Sequence, residues 1–446
     1  MEYVIIAAAV AALVLVVHTT LDARTARKVL PVLVVAFLAR LAVHLLYLRS
    51  GLTDYGGDNY NYETKALKVV EYWQENGIRF VTEDEIPLIA AVTLPCNLFA
   101  LVIYACGGPA PLACTALVAL IACTLCVVMY KFARLAGADE RAALRLLAVV
   151  AFMPAFLLHT SDMFKDGFNA FLVITCLALA AANMRRFALR NVVMILILLV
   201  ALWNVRPYMV VMCLPALLVG VANPRRALSA RFLAVSAVLL VVATALLAGA
   251  LHLGPADEVM EDLERGQAEN VRRANASQRS GVTFDDGGGP WGALLPKILY
   301  TLFSPFPWTS GSVTLQLGKI EMLVAYCLFY CAVRGTLRLW RSDRGMLLFL
   351  LAFLVPGTVA YATTMSNIGL IFRQRIPIVL MVGLLAALAW TGEAERRRAE
   401  RRDPADREPD PGADREAGRA PALGDRGPDS ADYERDPARA REEISS

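Results

Sequence analysis

Apolar residues along this chain come in long blocks rather than in alternation, and short charged junctions separate the blocks. The candidate blocks are residues 3–20, 29–48, 110–130, 146–160, 167–184, 192–205, 207–221, 232–252, 320–337, 346–364 and 376–390. Several approach the roughly 20 residues that carry a helix across the hydrocarbon core, so the pattern predicts an all-α, multi-pass membrane bundle of about eleven spans. The junctions give it a direction. Arg24, Arg27 and Lys28 follow the first block, Lys131, Arg134, Arg141 and Arg145 the third, and Arg185, Arg186 and Arg190 the fifth. Arg225, Arg226 and Arg231 follow the seventh, and Arg334, Arg338, Arg341 and Arg344 the ninth. Every second junction is basic, which predicts that these face the cytoplasm, with the N-terminus outside and the C-terminus inside. A further apolar run, 88–107, fits this pattern only if it does not cross, because a crossing would move every later basic junction outside. Pro87, Pro95 and the GGPAP that ends the run suit a broken or re-entrant helix in the outer leaflet.

The polar interruptions are unequal. Residues 51–87 hold Asp54, Asp58, Glu63, Glu71, Glu75, Glu83, Asp84 and Glu85, in a first half that is otherwise apolar. Between Glu63 and Trp73 the spacing is helical, with Ala66, Leu67, Val69, Val70 and Trp73 on one face and Lys65, Lys68 and Glu71 off it. A half-apolar helix between two spans is expected to lie along the bilayer surface. The second outer loop, 253–319, predicts a charged helix over 257–275, a turn at DDGGGP (285–290) and an aromatic, Pro-rich interfacial segment over 294–308. From Gly392 the composition turns to Arg, Asp, Glu, Pro, Ala and Gly. That stretch, 392–446, cannot bury enough apolar surface to fold and is expected to be a disordered cytoplasmic tail beyond a membrane domain of residues 1–391.

Composition sharpens the class. Of 446 residues, 57% are hydrophobic and 19% charged, and the mean hydropathy is +0.51, values of a membrane protein. No basic stripe is interleaved with aromatics, so nucleic-acid binding is not indicated. The nine cysteines lie almost wholly in apolar runs and read as small packing residues. No neighbouring His or Cys completes a metal site around Cys123 and Cys126. His18, His44, His159 and His252 stand alone at span ends and read as structural. Nothing calls for an organic cofactor, and whether a divalent metal takes part is left open. The N-terminus lacks a basic leading region and a cleavage site, so 3–20 reads as a retained span.

Charges beside the bilayer core are costly and usually have a partner or a task. Three sets fall on the expected outer side: Asp54 and Asp58; Asp162, Lys165 and Asp166 in HTSDMFKDGFN; and Arg206, Arg373 and Arg375 in NVRPYM and IFRQRIPI. The arginines run against the positive-inside pattern. Outward cations suit the phosphate of an anionic lipid headgroup and a developing charge on a leaving group. A carboxylate suits removal of a proton from an acceptor hydroxyl. The same residues also read as solvated loop acids, as an ion pair capping a span (Lys165, Asp166) and as snorkelling arginines. Tyr60, Tyr62, Tyr72 and Trp73 read as interface anchors or as sugar-stacking surfaces.

An acidic outer loop with D-x-x-x-Y-x-x-x-A (Asp58, Tyr62, Ala66) leads to Gly77 and then to a Pro-led apolar run ending at Gly107. A span with a basic turn follows, then one ending in an acidic turn. In this order the chain resembles the front half of the GT-C superfamily of polyprenyl-phosphate-sugar-dependent glycosyltransferases, particularly its family 39-like members. RQRIPI before the last block resembles an Arg-x-Arg-x-Pro element of bacterial members, and SPFPW (304–308) resembles a segment of such proteins in polysaccharide clusters. The likeness covers about residues 29–390 as an architecture. This chain departs from it in an additional N-terminal span and in Asp58-Asn59 where the family often has Asp-Glu.

The resemblance implies an enzyme of the plasma (inner) membrane with its active site on the extracytoplasmic face. It would move a sugar from a polyprenyl-phosphate donor to a glycan, lipid or protein acceptor. An acid of the first outer loop would be the base, which points to Asp58, with Asp54 in reserve. Tyr62, Lys165, Asp166, Arg206, Arg373 and Arg375 are the candidates for substrate binding. Two other readings stay open: a polymerase or ligase acting on polyprenyl-diphosphate glycan, with more weight on the second outer loop, and a lipid or solute transporter. Inverted repeats and broken midplane helices would mark the last.

Overall fold

Prolines and polar breaks cut the apolar blocks into shorter helices than their composition suggests. The structure, a computed structural model, describes residues 1–50, 57–90, 92–221, 267–277, 280–287, 289–309 and 313–392. Asp54, the expected span at 232–252, the junction at 225–231, residues 257–266 and the tail from 393 lie outside the described residues. In order, the helices are α1 (Glu2–Thr20), α2 (Ala23–Val43) with a wide-turn extension (His44–Leu48), α3 (Asp58–Asn76), α4 (Thr93–Cys106) and α5 (Pro111–Ala136). Next come α6 (Glu140–Phe152), α7 (Pro154–Leu158), α8 (Asp166–Arg185), α9 (Leu189–Trp203), α10 (Pro207–Val221) and α11 (Glu269–Ala276). The last are α12 (Leu294–Phe303), α13 (Val313–Ser342), α14 (Arg344–Thr363), α15 (Ile368–Gln374) and α16 (Ile376–Trp390). Among the described residues the sole extended pairing is an isolated bridge between Gly281 and Asn367.

Six of these helices are long and apolar enough to cross a membrane: α1, extended α2, α5, α8, most of α13, and α14. The pair α15–α16, bent by 56°, makes a seventh. The expected number was about eleven; one of those blocks, 232–252, lies outside the described residues, and among the others several helices are short. Helices α9, α10 and α16 have 15 residues each, about 22 Å at 1.5 Å per residue, short of a core of about 30 Å. Helix α4 has 14 residues, about 21 Å by the same rise. Pro207 opens α10, and Pro377 stands in the first turn of α16. Pro154 splits the expected 146–160 span into α6 and α7.

That last split leaves backbone groups that the hydrocarbon region would not solvate. Two buried charged side chains from other helices take them up. Arg40 of α2 donates from Nη1 to the Ala151 carbonyl at 3.2 Å and from Nε to Thr160 Oγ1 at 2.8 Å. Glu321 of α13 accepts the Ala155 N–H. Both side chains are almost wholly inaccessible to solvent.

The core is helix on helix. Helix α5 packs against α1, α2, α6 and α8. Helix α16 is apolar on all sides and buried nearly throughout, as expected of a helix enclosed by others. It lies against α13, where a Cβ at Gly335 would collide with the Leu385 carbonyl oxygen, so only glycine lets the two backbones meet this closely.

Ion pairs show which junctions share an end of the bundle. Lys28 pairs with Glu140, Arg185 with Asp343 at 2.6 Å, Arg338 donates to the Thr391 carbonyl, and Asp139 accepts the Gly392 N–H. These junctions, four of them basic in the sequence pattern, therefore gather at one end. At the other, Glu2 accepts the Ala113 N–H, the Leu94 N–H meets the Asn204 carbonyl, Asp162 accepts from Asn59 of α3, and Asp166 pairs with Arg206 just before α10.

Candidate functional site

Helix α3 runs from Asp58 to Asn76, longer than its periodic segment, and Gly57 precedes it in the left-handed region at φ 74°. Tyr62, Ala66, Val69, Val70 and Trp73 are buried, a continuous stripe at helical spacing. The stripe packs on α4, with Trp73 edge-on to Tyr104 at 6.1 Å. The return segment is tied to the same helix. Asn97 accepts the Val81 N–H at 2.9 Å and donates to the Val81 carbonyl at 2.8 Å. Burial of large side chains of this kind contributes about 1.5–3 kcal/mol each, so this segment is a packed element rather than a loose loop.

The N-terminal turn of α3 is held by a polar cluster. Asp162, with no exposed surface, receives a bidentate pair from Arg49, Nε to Oδ2 at 3.0 Å and Nη2 to Oδ1 at 3.1 Å. Asn59 Nδ2 donates to the same Oδ2 at 2.7 Å, and the Met163 N–H to Oδ1 at 2.8 Å. Arg49 also binds Glu63 at 2.8 Å and lies over the Tyr60 ring at 4.4 Å. His44 Nδ1 stands 3.5 Å from Asp162 and 3.0 Å from Thr115 Oγ1. Burial would raise the Asp162 pKa, but the bonds from His44, Arg49 and Asn59 outweigh it and hold the carboxyl down to about 2. An acid at position 59 would face this carboxylate, which accounts for asparagine there.

Four residues further on, a second cluster forms where three helix breaks meet. Asp166 opens α8 and is buried. Its Oδ1 accepts from Arg206 Nη2 at 2.6 Å, and its Oδ2 lies 3.3 Å from Arg373 Nε. Arg206 comes from the α9–α10 break and Arg373 from the last turn of α15. Lys165 stands beside them at the turn, within electrostatic range of Asp166, Arg206, Arg373 and Lys65. Tyr62 lies within range of Arg206. Arg206 Nη1 is buried with no hydrogen-bond partner among the described residues. The structure thus brings together Lys165, Asp166, Arg206, Arg373 and Tyr62. Asp58 is the first residue of α3, one turn before Tyr62.

Arg375 is placed elsewhere. Its Nη1 donates to the Thr301 and Leu302 carbonyls at the end of α12, at 2.9 and 3.3 Å, and its guanidinium stacks on Phe372 at 4.9 Å. It closes helix-end carbonyls, while Arg373, two residues earlier, reaches Asp166.

Burial is the main influence on Lys165, and with the guanidiniums of Arg206 and Arg373 it outweighs Asp166 and lowers the ammonium to about 7. The sign follows from proton counting. Between about pH 7 and 10 the folded protein holds fewer protons at this site than the unfolded chain, so stability rises with pH across that window. Lys165→Met is expected to flatten the rise by about 2–4 °C in thermal midpoint. Melting curves of both proteins between pH 7 and 10 check this, and parallel curves would show that Lys165 does not titrate there.

The segment over 267–309 supplies a different feature. Asp286 accepts from Arg272 and, at 2.6 Å, from Lys297, whose Nζ also donates to the Pro290 carbonyl. Beside them a cleft of about 420 Å³ is lined by residues including Glu269, Arg272, Arg273, Phe284, Asp285 and Met365.

The chain matches no protein-family model and no curated protein. Among the described residues no three His, Cys, Asp or Glu side chains converge as metal ligands. The sequence reading missed Arg49, Asn59, Arg40 and Glu321. Arg40 and Glu321 carry a visible signal, as charges inside apolar blocks. Arg49 ends such a block and looks like an ordinary boundary residue.

Proposed function

We propose that the protein is a GT-C-type membrane glycosyltransferase that moves a sugar from a polyprenyl-phosphate donor to an acceptor at the face opposite the basic junctions. The observation that carries this reading is Arg206. One of its nitrogens is held by Asp166, and Nη1 is buried with no partner among the described residues, beside Lys165 and Arg373. A buried guanidinium nitrogen in that state is costly unless an anion completes it. In this reading Lys165, Arg206 and Arg373 hold the donor phosphate, Asp166 orients the two guanidiniums, and Tyr62 walls the site. Asp58, or else Asp54, takes the proton of the acceptor hydroxyl as the new bond forms to the anomeric carbon. The old bond from that carbon to the phosphate oxygen breaks, its electrons leave with the lipid phosphate, and the cations stabilise that charge.

The test is purified protein in detergent with radiolabelled polyprenyl-phosphate sugar and no energy source. Consumption of the donor is expected, together with its loss in Arg206→Gln. No consumption across the common sugar donors would overturn the reading. The cleft beside Arg272 favours a second one, the polymerase or ligase on polyprenyl-diphosphate glycan, which places more weight on that loop. Diphosphate-linked glycan consumed in place of the monophosphate donor would select it.

A further inference from the structure

The clamp around Asp162 has a use that burial alone does not explain. Asp162 lies on the turn that runs directly into Lys165 and Asp166, and its carboxylate is bound by Asn59, the neighbour of Asp58. Arg49, at the end of extended α2, binds both sides: Asp162 through two nitrogens and Glu63 of α3 through the third. Its three guanidinium nitrogens are thus divided between the turn and α3. The clamp joins two neighbouring segments, 14 residues apart at Arg49–Glu63, to a distant turn, 113 residues away at Arg49–Asp162 and 103 at Asn59–Asp162. Gly57, just before the clamped turn, is in the left-handed region, a conformation that favours glycine and is not helical.

We infer that Arg49 is a positioning residue: by bridging Asp162 and Glu63 it fixes the first turn of α3 relative to the Lys165–Asp166 turn, and so sets the spacing between proton acceptor and phosphate site. This rests on the transferase reading above. The chemistry asks for such a device. The reacting atoms must be held about 3–3.5 Å apart and aligned, and a misplacement of about 1 Å can cost on the order of 10²-fold in rate. A bidentate arginine is the side chain suited to this, because its planar fork fixes direction as well as distance. Lysine offers one charge and no fork. Tyr60 over the guanidinium and the Met163 N–H on Asp162 hold the pieces in register. Asp162 also keeps its negative charge despite having no exposed surface, as the clamp requires.

Kinetics and a distance measurement test the inference together. In Arg49→Gln, kcat is expected to fall about 10²-fold with donor KM changed less than about threefold, because the phosphate site is left in place. Arg49→Lys should recover only part of kcat. In a cycle with Asp162→Asn the double variant should be no slower than the slower single one, since both cut the same bridge. Spin labels on exposed Tyr3 and Thr64, in protein lacking the native cysteines, report the position of α3 whether or not turnover is detected. Their distance distribution should broaden or shift in Arg49→Gln. A folded Arg49→Gln protein with wild-type kcat and an unchanged distribution would overturn the inference. A shifted distribution in a protein with no transferase activity would support the clamp and overturn the transferase reading instead.

Discussion

Asp58→Asn is expected to lower turnover by about 10²–10⁴-fold while leaving binding of the donor lipid largely intact. The acceptor hydroxyl is a poor nucleophile at neutral pH, so transfer needs a carboxylate within hydrogen-bond reach of its proton. Asp58 is favoured over Asp54 because it is the first residue of α3, and that helix is fixed by the buried stripe from Tyr62 to Trp73 and by Asn59 on Asp162. Asparagine keeps the size and removes the base. Asp54→Asn should cost less. Sugar transfer at saturating donor, beside binding of the donor lipid to the same preparations, decides between them. Loss confined to Asp54→Asn would move the role to Asp54, and full turnover in both would remove this loop from the chemistry.

The second large effect is on stability. Asp166→Ala should destabilise the protein by about 3–5 kcal/mol, because it strips the carboxylate from a buried guanidinium without removing the guanidinium. Arg206 has a side chain only 4% exposed, and its bond to Asp166 is 2.6 Å long. Nothing else among the described residues takes up Arg206 Nη1, so water or an anion would have to enter. Asp166→Asn retains one acceptor oxygen and should cost less. Removing both partners, in Asp166→Ala with Arg206→Met, should restore part of the loss but not all of it, since the more buried guanidinium is then gone while Arg373 still lacks its carboxylate. Thermal unfolding of the three proteins in one detergent measures this. A midpoint unchanged in Asp166→Ala would show that the pair is solvated in the folded protein.

These two predictions draw on different depths of the sequence. The helical spacing of α3 is plain in Ala66, Val69, Val70 and Trp73, because a half-buried helix must repeat its apolar side every three to four residues. Lys165, Asp166 and Arg206 stand out as charges next to apolar blocks, and the structure brings them to one place. The choice between Arg373 and Arg375 was not legible. Residues two apart on a helix do not face each other, but which of the two turns toward Asp166 depends on the 56° bend between α15 and α16. The number of continuous helices was legible only in part, for a related reason. Hydropathy sums treat 146–160 and 192–221 by composition alone, whereas helix continuity is decided by Pro154 and Pro207 and by what can satisfy the freed backbone groups. Asn59 illustrates the limit most simply: its identity makes sense only beside Asp162, and no local pattern connects the two.

Arg40 also has a consequence for how the protein is made. Its side-chain partners are Thr160 Oγ1, 120 residues later, and the Ala151 carbonyl, 111 residues later. At synthesis rates of about 5–20 residues per second, that interval corresponds to roughly 6–24 s. During it, α2 emerges with a guanidinium in an apolar stretch and only the Ala36 carbonyl of its own helix to bind. A guanidinium in an apolar stretch without such partners is costly. The two bonds that hold Arg40 to α6 and the turn after α7 can therefore form only once the chain has been made past residue 160.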